Sequence, residues 1–524
     1  YTNYLKDGNF FKKIYMLARV STSALKGVDA IPIEVEVEVR GGTPKFTIIG
    51  LGDGAIRESK DRVISAIRSS GFKMPGGPIL VSLAPAEVRK EGSSFDISIA
   101  LGILAASGQI DSSILKNTSV HGELSLDGTI KGVRGILPMT LSAKSLGVKT
   151  VCVPAINSEE ASLVNGVNII PVTSLAELYL ILKGEIAPEE VKKRSKENII
   201  SNKVDLSSIW GQDRAKRALS LAAAGGHNVL MIGPPGCGKS MLAQAYKSIL
   251  PLLSEAEILE VIKIYSSAGL PISGFLNGER SLRAPHHVIS DVGLVGGGSN
   301  PKPGEISLAH RGVLFLDEFP EYRRSCLEAL RAPLENGSVR IVRSGGSVEF
   351  PARFQLIAAM NPCPCGRLGV SGAGCLCSMT AIQQYLKKLS QPILDRIDLH
   401  IELDPVPVSV LVGRAKNSQS DTSSNVTLKL VQKAQARQIE RQNRLNSDLL
   451  GQEIIKMVPI SDQGEKLLSK AADKIGLSAR SFIRILRVAK TIADFDDKEN
   501  VGIEELSEAI GYRAIERLNQ YCKK

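Results

Sequence analysis

Residues 228–240 read NVLMIGPPGCGKS: an apolar run, a glycine-rich turn of the form Gly-x4-Gly-Lys-Ser, and then the helix-forming stretch MLAQAYKSIL. An apolar run without polar alternation needs cover on both faces, so it predicts a buried strand. The glycines let backbone N–H groups wrap an anion without Cβ clashes, and the helix that follows presents its N-terminus to the same anion. Such a strand–loop–helix unit belongs in a parallel sheet flanked by helices. The spacing is that of a P-loop. Gly233, Pro234, Pro235, Gly236, Cys237, Gly238, Lys239, Ser240 and Met241 are therefore expected to hold nucleotide phosphates, with Lys239 on the β and γ oxygens and Ser240 on Mg2+.

Two further strand patterns complete the chemistry. GVLFLDEF ends in Asp317 and Glu318, an acidic pair of the Walker B kind. Asp317 is expected to hold Mg2+ through water, and Glu318 to act as general base on the attacking water. FQLIAAMN ends in Asn361, placed to orient that water between phosphate and base. A strand ending in two acids, or in Asn, is common by itself; the order behind a P-loop gives these two their meaning.

At 524 residues the chain is long enough for about three domains. Alternating strands such as IPIEVEVEV and ILVSLAP interleave with the helical AIRESKDRVISAIRSSG, predicting an α/β domain over 16–190. The polar KKRSKENIISNK lies in a linker over 191–205, a parallel α/β core follows over 206–403, and amphipathic helices predict a small all-α domain over 404–524. The formal net charge of +11 suits a polyanionic partner, although a merely solvated basic surface gives the same balance. No apolar run approaches the length of a membrane span, and four of the eight cysteines are scattered. A soluble, cytoplasmic protein without a membrane partner is expected.

The order P-loop, acidic strand, polar strand end resembles the AAA+ ATPases, with Asn361 as sensor 1. Together with RAPHH, LVGGGSNPKPGEISLAHRGVLFLDEFPEY, AAMNPCPCG and ILDRIDLHIEL, it resembles the YifB/ComM family of magnesium-chelatase-like ATPases from about Met16 to Arg517. Residues 1–15 fall outside the pattern, as an extension. The resemblance implies ATP and Mg2+ as cofactors, Arg396 as an arginine finger acting on a neighbouring subunit, and Arg480 as sensor 2 on a helical C-terminal lid. It further implies a homo-hexamer that uses single-stranded or branched DNA, drives branch migration of joint molecules during natural transformation, and works beside recombination proteins. A chelatase-type remodeller of a protein partner is the alternative.

Residues 337–354 read as a β-hairpin just before the sensor strand, offering Arg340 and Arg343 to a DNA backbone, and Arg283 in SLRAPHH is a further DNA or intersubunit candidate. The first domain resembles a Lon-protease-like domain. Its serine position falls on Ser94, but the lysine position falls on Leu137, so no base activates the hydroxyl and a peptidase is disfavoured. A structural or DNA-binding platform is expected instead, with basic candidates at Arg57, Lys60, Arg62, Arg68, Lys73, Arg89 and Lys90. Finally, CPCGRLGVSGAGCLC places Cys363, Cys365, Cys375 and Cys377 two residues past Asn361. Four thiolates can clip the loop around one structural Zn2+; reduced free thiols and a disulfide pair are the alternatives.

Overall fold

The computed structural model describes residues 16–50, 54–87, 90, 94–191, 204–343, 346–369, 374–406, 423–475 and 478–513. The extension 1–15 and residues 192–203 of the expected linker lie outside them, as does Arg89, and nothing is described of the Arg57 side chain. The chain divides into two compact units, one of residues 1–198 with 259–274, the other of 199–258 with 275–524.

The first unit is built on a seven-stranded sheet of β1 (Met16–Lys26), β2 (Asp29–Val39), β3 (Phe46–Ile49), β4 (Ile79–Ala84), β5 (Thr118–Val120), β6 (Thr150–Pro154) and β7 (Asn168–Val172), in the order β3-β4-β2-β1-β5-β6-β7. β1 and β2 pair antiparallel over all eleven positions from Met16↔Val39 to Lys26↔Asp29. Period-two patterning sets that register: Val35 and Val37 are buried, while Glu34, Glu36 and Glu38 take the other face, where Arg19 donates to Glu36 at 3.1 Å. Helix α1 (Gly54–Ser69) and the wholly buried α2 (Asp96–Ala106) complete the core. Residues 259–274 add to this unit through a hydrogen bond from the Gly135 N–H to the Ser266 carbonyl at 3.0 Å and an ion pair between Lys263 and Asp29.

Two of the basic candidates are taken up internally. Arg62 forms an ion pair at 2.9 Å with the buried Asp96, and Lys90 is itself buried, donating to the Pro85 carbonyl. Leu137 is buried, and its N–H donates to Glu160 at 2.8 Å.

The second unit carries a five-stranded parallel sheet of β8 (Val229–Ile232), β9 (Leu282–Arg283), β10 (Val313–Leu316), β13 (Gln355–Met360) and β14 (Leu399–Glu402), ordered β9-β10-β13-β8-β14. The hairpin of β11 (Ser338–Arg343) and β12 (Gly346–Pro351) stands apart from it as a separate two-stranded sheet. All four residues of β8 and of β10 are buried, as continuous apolar runs demand, and each such side chain contributes about 1.5–3 kcal/mol. Helices α3 (Asp213–Gly225) and α4 (Lys239–Tyr246) cover the sheet.

The C-terminal helices α6 (Ser424–Gln442), α7 (Ala479–Phe495) and α8 (Ile503–Gly511) share that core, with Val431, Ala434, Ile485, Ala489 and Ile492 packed into one cluster with Val229 and Ile357. The segments 206–403 and 404–524, separate in the sequence reading, thus fall in one compact unit. Among the described residues no helix is long and apolar enough to cross a membrane.

Candidate nucleotide site and cysteine cluster

Parallel pairing brings the site together. β10 and β8 each pair with β13 in register, Leu316 and Ile232 facing Ala358 and Met360, so the P-loop, the acidic pair and Asn361 all emerge at the C-terminal edge of one sheet. Open parallel sheets bind ligands at that edge. Gly236 and Gly238 sit at φ +79° and +94°, a region that other residues enter only at a cost, and this turns the loop over the start of α4.

Lys239 is buried. Its Nζ donates to the carbonyls of Gly233 at 2.7 Å and Pro234 at 2.9 Å and to Asn361 Oδ1 at 3.0 Å. Burial draws its ammonium below the usual lysine range. Ser240 Oγ donates to Asp317 Oδ2 at 2.8 Å, while the other Asp317 oxygen accepts the Glu318 N–H at 2.9 Å. A hydroxyl and a carboxylate in contact beside a lysine are the hard-oxygen set that suits Mg2+ next to phosphates. The residues present therefore fit a magnesium-bound nucleoside triphosphate. Glu318 occupies the left-handed region at φ 52°, a strain of about 1–2 kcal/mol that turns its half-exposed carboxylate out of the strand.

Three contacts were missed by sequence reasoning. His287 Nδ1 lies 3.0 Å from Glu318 Oε2, because β9 pairs parallel to β10 and sets the RAPHH loop beside the acidic pair. The signal in the sequence was the pair His286 and His287 beside Arg283 in the Pro-broken loop SLRAPHH. Gln212 donates to the carbonyls of Cys237 at 3.2 Å and Asp404 at 2.7 Å, tying the P-loop to the end of β14. Glu335, on α5 (Arg331–Asn336), pairs with Arg396.

The expected arginines divide. Arg396 is buried, with Nη1 donating to the Pro392 carbonyl at 2.7 Å and Nη2 to Glu335. Arg480 is exposed at the start of α7, two residues after the N-cap Ser478. On the hairpin Val339, Ile341 and Phe350 are buried while Arg340 and Arg343 are exposed, Arg340 lying opposite Glu349. Arg283, expected as a DNA or intersubunit contact, is held by Glu305 through two hydrogen bonds of 2.6 Å, from Nε and Nη2.

The four cysteines 363, 365, 375 and 377 converge. Their sulfurs all lie within 4.8 Å of one another, with 3.4 Å from Cys363 to Cys365, 3.7 Å from Cys363 to Cys375 and 3.6 Å from Cys365 to Cys375. Tetrahedral zinc with Zn–S bonds of about 2.3 Å sets sulfurs about 3.8 Å apart, so the donor set and its spacing fit the metal. The Arg367 backbone N–H, and then the Cys377 thiol, bring Cys365 down to about 6. Among the described residues every cysteine is a free thiol.

The family described as magnesium chelatase, subunit ChlI, matches residues 205–411, its C-terminal part matches 421–513, and a third, subunit ChlI of Mg-chelatase, matches 35–157. The chain is 42% identical over 508 residues to the competence protein ComM of Haemophilus influenzae, covering 96% of this chain and 99% of that protein. It is 40% identical over 510 residues to the uncharacterized protein YifB of Escherichia coli, covering 97% and 99%. A magnesium-chelatase subunit ChlI homolog of Methanocaldococcus jannaschii is 24% identical over 343 residues, covering 58% of this chain and 82% of that one. Identity at the 42% level, carried through both units and over nearly the full length of each partner, means that the chain belongs to the YifB/ComM family of magnesium-chelatase-like proteins.

Proposed function

We propose that this chain is an AAA+ ATP hydrolase that works as a ring, a homo-hexamer in the family's manner, and drives branch migration of DNA joint molecules during recombination and natural transformation. The observation that carries the hydrolase is the meeting of Lys239, Ser240, Asp317, Glu318 and Asn361 at one sheet edge. DNA and competence rest on the relative named as a competence protein, on the net charge of +11 and on the exposed Arg340 and Arg343.

In this reading Lys239 exchanges the Gly233 and Pro234 carbonyls for β- and γ-phosphate oxygens, its desolvation making that exchange favourable. Ser240 and Asp317 would hold Mg2+, which would supply neutralising charge to the phosphates. Asn361 places the attacking water and the Glu318 carboxylate takes its proton. Arg396 and Arg480 stabilise charge on the transferred phosphoryl group, the finger reaching a neighbour's site. The first unit, Lon-protease-like in pattern, serves as a platform rather than a peptidase, because Leu137 supplies no base. The cysteine cluster is a zinc clip that shapes the loop between the sensor strand and Arg396.

A synthetic four-way junction incubated with protein and ATP tests this directly. Resolution into duplexes is expected with the wild-type chain, whereas Glu318→Gln binds ATP and turns it over at least a hundredfold more slowly, without moving the junction. Hydrolysis indifferent to every DNA, with no junction movement, would point instead to the remodelling of a protein partner.

A further inference from the structure

Arg396, just after the short helix Gln391–Leu394, is paired with a carboxylate from another element, Glu335 of α5. Arg396 donates to Glu335 from a side chain only 10% exposed, while that of Glu335 is 60% exposed. The Arg396 hydrogen bond and charge, followed by the charges of Arg480 and Arg331, hold the Glu335 carboxyl below the usual range. Arg396 Nε is buried without a partner among the described residues. The buried guanidinium of Arg396 thus meets a solvent-facing carboxylate, an anion that a phosphate can replace.

Glu335 is also mechanically placed. It lies two residues before Gly337, where α5 ends at φ +69° and the chain enters β11. The Gly337 N–H donates to the Pro333 carbonyl and its own carbonyl accepts the Ala352 N–H, both at 2.8 Å. These bonds tie the last turn of α5 to both strands of the arginine-bearing hairpin. A displacement of the hairpin is therefore passed to Glu335 over a few covalently linked residues.

We propose that Glu335 is a holding group for the arginine finger: its carboxylate occupies Arg396 in the resting subunit and yields it to the neighbour's nucleotide when DNA on the hairpin moves α5. The inference rests on the reading of Arg396 as a trans-acting finger and of Arg340 and Arg343 as DNA contacts. Glu335 is a positioning residue in this scheme and touches no reacting atom. Arg396 is buried, so it gives up the exposed Glu335 only in exchange for another anion, a phosphate, which keeps its charge paired.

The test is steady-state ATP hydrolysis by Glu335→Gln and Glu335→Ala, without DNA and with branched DNA. Because Glu335 is exposed, both variants are expected to fold. Glu335→Gln removes the charge and Glu335→Ala also removes the acceptor, so basal kcat should rise about three- to fivefold, in the order wild type, Gln, Ala, with KM for ATP unchanged. The DNA-stimulated rate should stay the same, so that the stimulation ratio falls. Placed on an Arg340→Ala, Arg343→Ala background, Glu335→Gln should still raise the basal rate although DNA no longer does. An unchanged or lowered basal kcat in both Glu335 variants overturns the proposal. Arg396→Ala, measured alongside, separates the two failures: if it hydrolyses ATP normally the finger reading itself is wrong, and if it is inactive while Glu335→Gln is not raised, only the holding role is.

Discussion

Lys239 and His121 show how burial sets the behaviour of single side chains here. The lysine ammonium is desolvated but has three oxygens to donate to, one of them Asn361 Oδ1, so the end of β13 and the P-loop are already in contact. His121 is buried in the first unit between Thr22 Oγ1 at 3.2 Å and Ser119 Oγ at 3.0 Å, and burial pushes its imidazole down to about 4. With a folded value below the unfolded 6.5, the unfolded chain binds more protons between those limits, and stability falls as pH drops from about 6.5 toward 4. The shift is worth about 3 kcal/mol between pH 7 and pH 4. Denaturant unfolding of wild type and His121→Gln across that range should show the wild type losing about 3 kcal/mol more than the variant; parallel curves would contradict the assignment. At this scale the sequence was a partial guide. Motif spacing located Lys239, Ser240, Asp317, Glu318 and Asn361, which the structure brings together. A local string does not show that Glu305, twenty-two residues on, pairs with the Arg283 guanidinium.

The cysteine loop is the element whose role is most open to a direct measurement. Gly366, at φ +76°, abuts the P-loop: a Cβ there would lie 2.5 Å from Pro235 Cδ. Whatever fixes the loop therefore bears on the phosphate cradle. Protein purified without added zinc should carry about one zinc per chain by elemental analysis, and Cys363→Ser with Cys375→Ser should lose it. Chelation should raise KM for ATP several-fold by loosening the loop against Pro235. A metal content near zero in freshly prepared wild type would remove the clip. Individual elements were otherwise readable in the sequence. SARSFIRILRVAKTIADF folds as α7, IPIEVEVEV lies within β2, and the hairpin strands fall where alternation put them. The pairing of β9 with β10, which delivers His287 to Glu318, was not readable, since a two-residue strand carries no period.

For the whole molecule, the division into units escapes local pattern altogether. Residues 259–274 belong with the first unit although the second begins sixty residues earlier, because a contact such as the bond from Gly135 to Ser266 has no signature in either segment. The C-terminal helices share a core with the P-loop sheet for a similar reason: the apolar stripe of α7 shows that it must pack, but not against what. Assembly is the next scale up. If Arg396 acts on a neighbour, subunits carrying Arg396→Ala mixed with subunits carrying Lys239→Ala should recover part of the hydrolysis that each lacks alone; no recovery at any ratio would place the finger in its own subunit or remove it. Whether ATP turnover here serves DNA is read from the steady-state rate of ATP hydrolysis with single-stranded, duplex and branched DNA. The rate should rise several-fold, and most with branched DNA, and the increase should be lost in Arg340→Ala, Arg343→Ala. A rate unmoved by all three would contradict a role on DNA.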